Sequence, residues 1–155
     1  MLTQLATLSV QTDGRYATDE ELSFFTGYFK TLNLRLSAYD KIRSTSDDII
    51  SEVEAKMRAM DPGLFINAAG DFTQTWRKDI VQLLRYAAAA LLFNEQDHLR
   101  EGLLLWHTTI AKSYQFDRTC KTTFTVMPEI IKEYLTAEEA ALFCPLLDLN
   151  RIILG

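Results

Sequence analysis

Between Gln74 and Phe93 the apolar residues Ile80, Leu83, Leu84, Ala87, Ala90 and Leu91 recur at helical spacing. They fall on one face of an α-helix and do not follow the alternation of a half-buried strand. The same run holds four consecutive alanines, Ala87 to Ala90, which let a neighbouring backbone come close. The spacing predicts a long helix crossing the middle of a core. The rest of the chain must supply what packs around it.

That rest is punctuated as helices. Leu2, Leu5 and Leu8 line one face of a short first helix, which Asp13-Gly14 closes. Thr18 to Glu21 has the form of a capping box, and Leu22, Phe25, Phe29, Leu32 and Leu36 follow it at helical spacing. Ser46-Asp47-Asp48 reads as the start of a further helix, with Ile49, Ile50, Val53 and Met57 on its apolar side and Pro62-Gly63 at its end. Residues 61–73 read as the longest loop. Asn94 to Asp97 makes a turn, and Leu99 to Ile110 resumes the helical pattern. Pro128 and Pro145 are each expected to start or bend a helix, and Thr136 to Glu139 forms a second capping box. The expectation is an all-α fold of seven or eight helices, without repeat or linker.

Composition narrows the function. A length of 155 residues suits one core, and 48% hydrophobic with 24% charged residues excludes a disordered chain. Sixteen Lys+Arg against twenty-one Asp+Glu give a net charge of −5, which argues against generic nucleic-acid binding. Cys120 and Cys144 have no metal-ligand spacing, so no metal site is expected. No apolar run reaches membrane-spanning length, and the first residues lack the basic start of a signal peptide, so a cytoplasmic protein is expected. There is no nucleophile elbow, phosphate loop, HExxH or EF-hand pattern, which predicts a non-enzymatic protein.

The first helix is too short to hold alone in water. Phe24, Phe25, Tyr28 and Phe29 give the next helix more apolar surface than one core-facing stripe uses. Either this hairpin folds back on its own chain or it covers a partner subunit. His98 and His107 lie about 180° apart around a helix and cannot share one face. A single haem-ligating His stays open beside the more ordinary surface and core roles. Cys120, between Arg118 and Lys121, reads as a small buried hydrophobe or as a thiol approaching a pocket; Cys144 reads as core.

Trp76-Arg77-Lys78-Asp79 opens the long helix. Two cations there oppose the helix dipole, and beside one carboxylate they read either as a solvated turn or as a seat for an anionic ligand. Together with Gly14-Arg15-Tyr16, Leu22, Asp47 to Ser51, Leu84-Arg85-Tyr86 and Leu147-Asp148, this set resembles in order and spacing the phycobiliprotein subunits of the allophycocyanin and phycocyanin type. The resemblance covers nearly the whole chain. It implies a globin-like bundle preceded by a helical hairpin, here a single domain over 1–155 with the hairpin in 1–30 and the core in 31–155.

It also implies a linear tetrapyrrole (bilin) against the long helix, with a thioether Cys near the helix start. Asp79 then matches the carboxylate facing the inner pyrrole nitrogens, and Lys78 matches the propionate partner, while Arg77 has no counterpart. Trp76 stands where the thioether Cys belongs, and indole offers no nucleophilic sulfur. The 61–73 loop is also shorter than the resemblance leads one to expect. Arg85 and Tyr16 match positions at a subunit boundary, or else they meet within the chain; the Leu5 face of the short first helix is expected at the same contact. The leading expectation is a light-harvesting-like subunit that holds bilin, if at all, without a covalent bond. The alternative is a pigment-free interaction or bilin-biosynthesis-associated globin; an enzyme or carrier acting on tetrapyrroles is a third. Partnering is expected through the hairpin, as a homo-dimer or hetero-oligomer, with thylakoid association only within an antenna complex.

Overall fold

The computed structural model describes residues 1–95 and 117–154. Helix α1 (Leu2–Gln11) leads to the long α2 (Asp19–Met60), a 3-10 turn (Pro62–Phe65) and a hairpin of two-residue strands, β1 (Ile66–Asn67) and β2 (Gly70–Asp71). Helices α3 (Thr73–Phe93), α4 (Asp117–Tyr134) and α5 (Ala137–Leu154) follow. The fold is all-α, with five α-helices among the described residues. The helical stretch expected over 99–110, with His98, His107 and Trp106, lies outside the described residues.

The α3 stripe is buried as its spacing predicts. Ile80, Leu84, Ala87 and Leu91 meet Ile49, Val53 and Met57 of α2, with Phe124, Met127 and Ile131 of α4 and Phe143 and Leu147 of α5 in the same cluster. Ala87, Ala88 and Ala90 are all buried, consistent with α3 packing against both α2 and α5.

Three expectations change. No helix starts at Ser46: α2 runs unbroken from Asp19 to Met60. The polar residues there do not cap, because the Ser44 and Thr45 hydroxyls donate back to the Lys41 carbonyl and Ser51 donates to that of Asp47. Ile42, Ile49 and Ile50 meanwhile keep the buried stripe continuous across the polar stretch. Residues 61–73 are not a plain loop. Asp61 accepts from the Gly63 amide to set the 3-10 turn, and Ile66 pairs with Asp71 across a tight hairpin. Pro128 and Pro145 start nothing; each lies inside its helix, α4 or α5.

Both capping boxes form. Thr18 and Glu21 exchange bonds at the head of α2, and Thr136 and Glu139 do so at the head of α5. Glu139 does more than cap. It is 2% exposed and takes Lys41 at 2.7 Å and Ser37 at 2.6 Å, tying α5 to the middle of α2. Burial alone would raise its pKa, but these donors outweigh burial and hold it at about 2.

The hairpin of α1 and early α2 is tied to the C-terminal end of α3. Tyr28 donates to the Leu92 carbonyl, and buried Arg35 donates to the Leu91 carbonyl and the Asn94 side chain. Asn94 itself caps α3 in the left-handed region at φ +53°. Glu95 accepts from the Met1 amino group and from both the amide and hydroxyl of Thr3.

Candidate functional site

The four side chains that open α3 go four ways. Trp76 points into the core and is only 5% exposed. Its ring stands edge-on to buried Phe65 with centroids 5.0 Å apart, and its N–H donates to the Thr123 hydroxyl of α4 at 3.0 Å. Thr123 donates onward to the Thr119 carbonyl, and the Thr119 hydroxyl donates to the Leu64 carbonyl at 2.6 Å. One line of hydrogen bonds thus joins α3, α4 and the 3-10 turn.

Arg77 turns to α2. It donates to Glu54 at 2.6 Å and to the Ser51 hydroxyl at 3.1 Å. Glu54 also takes Arg58 at 2.9 Å, and Arg58 reaches the Thr73 hydroxyl while lying 4.7 Å over the Phe65 ring. Burial pushes the Glu54 carboxyl up, but the two guanidiniums outweigh it and lower its pKa. Asp71 accepts from the Thr73 amide at 2.7 Å and the Thr73 hydroxyl at 2.5 Å, so the start of α3 receives a carboxylate although Phe72 offers no capping side chain. The two cations of the sequence motif are therefore not a matched pair: Arg77 is committed to Glu54.

Lys78 is exposed and Asp79 half-buried on the outer turns of α3. Arg85 is exposed and makes no hydrogen bond or ion pair among the described residues, and Tyr16 is 98% exposed, so the two do not meet within the chain. Leu8 of α1 is buried, whereas Leu2 and Leu5 remain 48% and 41% exposed. Beside them a groove of about 450 Å³ runs between α1 and α3, lined by Leu2, Tyr86, Ala89, Ala90 and Phe93.

Sequence reasoning missed Glu54, Arg58, Thr119 and Thr123. The Glu54/Arg58 and Thr119/Thr123 spacings do place each pair on one helix face, but nothing in them names Arg77 or Trp76 as the partner.

The α3 start and all of the hairpin after Leu5 fall within residues 6–152, which match the family model described as Phycobilisome protein. The chain belongs to that phycobilisome protein family. It is also 32% identical over 95 residues to the allophycocyanin subunit beta-18 of Aglaothamnion neglectum. That match takes in 59% of this chain and 56% of the relative, so the chain spans just over half the length of the curated relative it matches.

Membership in the phycobilisome family implies a linear tetrapyrrole, and the described residues fit only the polar half of such a site. Lys78 and Asp79 offer a cation and a carboxylate on adjacent turn positions. Trp76, expected at the attachment position, is a buried indole with its N–H already bonded, and it has no sulfur. Cys120 on α4 and Cys144 on α5 are both half-buried and in no disulfide, and burial raises the Cys144 pKa, away from the thiolate that a thioether needs. No cluster of His, Cys, Asp or Glu able to hold a metal occurs among the described residues. No helix among them is long and apolar enough to cross a membrane.

Proposed function

We propose that this chain is a non-enzymatic subunit of a phycobilisome-type light-harvesting assembly that carries no covalently linked bilin. The observation that carries the reading is that Trp76, which the resemblance aligns with the attachment Cys, is buried with its one donor satisfied. A thioether requires a sulfur nucleophile at that place. Family membership over residues 6–152 supports the assembly role, and the exposed Leu5, Tyr16 and Arg85 support partnering through the hairpin.

A second reading, reversible bilin binding, is favoured by Lys78 and Asp79. A bound bilin would supply visible absorption; Lys78 would pair with its propionates, and Asp79 would accept from its pyrrole N–H groups. Visible absorption of the purified full-length protein, before and after adding biliverdin or phycocyanobilin, separates the readings. A red-shifted band that appears on addition and is lost on acid denaturation supports reversible binding. No spectral change supports the pigment-free subunit. A bilin that stays with the denatured chain contradicts both.

A further inference from the structure

We infer, resting on the reading above, that Trp76 is an internal aromatic plug: it bars a tetrapyrrole ring from the space between α3, α4 and the 61–73 segment and holds that segment shut from within the chain. The indole lies edge-on to Phe65, Phe65 is fully buried, and Arg58 covers the Phe65 ring. The Trp76 N–H donates to the Thr123 hydroxyl, which donates to the Thr119 carbonyl, and the Thr119 hydroxyl donates separately to the Leu64 carbonyl; all four residues are buried. A ligand entering there would displace the indole and remove the donor that the buried Thr123 hydroxyl accepts from.

The 61–73 segment is fastened on both sides of the plug. Arg118 of α4 pairs with Asp61, Arg58 of α2 donates to Thr73, and the Phe72 amide donates to the Phe65 carbonyl at 2.9 Å. None of these fastenings involves Lys78 or exposed Arg85. Any bilin the chain takes is thereby confined to the outer face of α3, and the fold closes without one.

The test uses the full chain and three variants, with indole and biliverdin as probes. Trp76→Ala is expected to lower the melting temperature by about 10–20 °C. Indole, refilling the cavity, should restore part of that loss while leaving the wild type unchanged. Biliverdin should bind Trp76→Ala about tenfold or more tighter than wild type. If the alanine variant does not fold, Trp76→Leu carries the comparison, and Trp76→Phe should keep the plug and bind like wild type. In the wild type the Phe72 and Trp76 amides should exchange slowly and equally with and without biliverdin. An alanine variant that melts like wild type, no gain in biliverdin affinity on truncation, or biliverdin-induced slowing of those two amides in the wild type would each overturn the plug. A bilin bonded covalently to the denatured wild-type chain instead overturns the preceding reading, whatever these measurements give.

Discussion

Thr123 is the residue on which the α3 start depends most without any mark in the sequence. Replacing it by Val removes the acceptor of the Trp76 N–H and leaves a buried donor without a partner. The expected cost is about 1–3 kcal/mol, read as a lower urea midpoint at unchanged m-value. An unchanged midpoint would mean that water replaces the hydroxyl. Lys78 and Asp79 are tested differently, since both lie outside the core. In the reversible-bilin reading Asp79→Asn diminishes the red band, because the pyrrole N–H groups lose a charge-assisted acceptor worth about 1.5–3 kcal/mol in gross terms. Lys78→Ala weakens binding and alters the band less. Equal, negligible effects on a biliverdin titration would remove α3 as a bilin surface. Trp76 was legible in the sequence as a departure from a resemblance. Its partners were not, because Phe65 and Thr123 lie 11 and 47 positions away and only packing brings them together.

Among the elements, α5 is held by a carboxylate at its first turn. Glu139 caps the helix and binds Lys41 and Ser37 of α2, so Glu139→Ala should cost about 1–3 kcal/mol, with Glu139→Gln less harmful because it keeps part of the bonding. The folded carboxyl, at about 2 against its ordinary 4.5, gives up its proton more readily than the unfolded one. Its contribution is therefore complete above about pH 4.5 and is lost as pH falls toward 2. Acid titration of stability should show wild type losing its advantage over Glu139→Gln across that window; a constant difference would contradict the assignment. The capping box itself was plain in the sequence, as were the α3 stripe and the head of α2. The supposed helix start at Ser46 was misleading. Ser and Asp favour caps, but Ser and Thr hydroxyls also back-bond inside a helix when the buried stripe runs on beneath them, as Ile42 to Ile50 does. The short 61–73 segment read as loop because strands of two residues leave no periodicity to see.

For the whole molecule, the proposed assembly turns on the hairpin. Its polar end is tied to α3 within the chain through Tyr28, Arg35 and Thr3, while Leu2, Leu5, Phe29, Tyr86 and Phe93 keep large exposed apolar areas. Apolar surface of that extent beside a groove favours a subunit contact. Sedimentation of the full chain at low micromolar concentration is expected to show a dimer or larger species. Deleting residues 1–16 should yield monomer or aggregate, and Arg85→Glu should weaken a two-fold contact twice over. A wild-type monomer would contradict the hairpin interface, and an Arg85→Glu variant that sediments like wild type would remove Arg85 from it. The all-α class was legible from periodicity alone, whereas the direction of each surface residue needed the packed chain.

The account stands on an indole in place of a sulfur nucleophile, and the most direct test is the intact mass of the denatured protein after expression in a bilin-producing host. The expected result is the mass of the unmodified polypeptide, with no zinc-induced fluorescence on a denaturing gel. A mass raised by one bilin, with fluorescence that remains on the chain, would show a thioether at Cys120 or Cys144 and contradict the central claim.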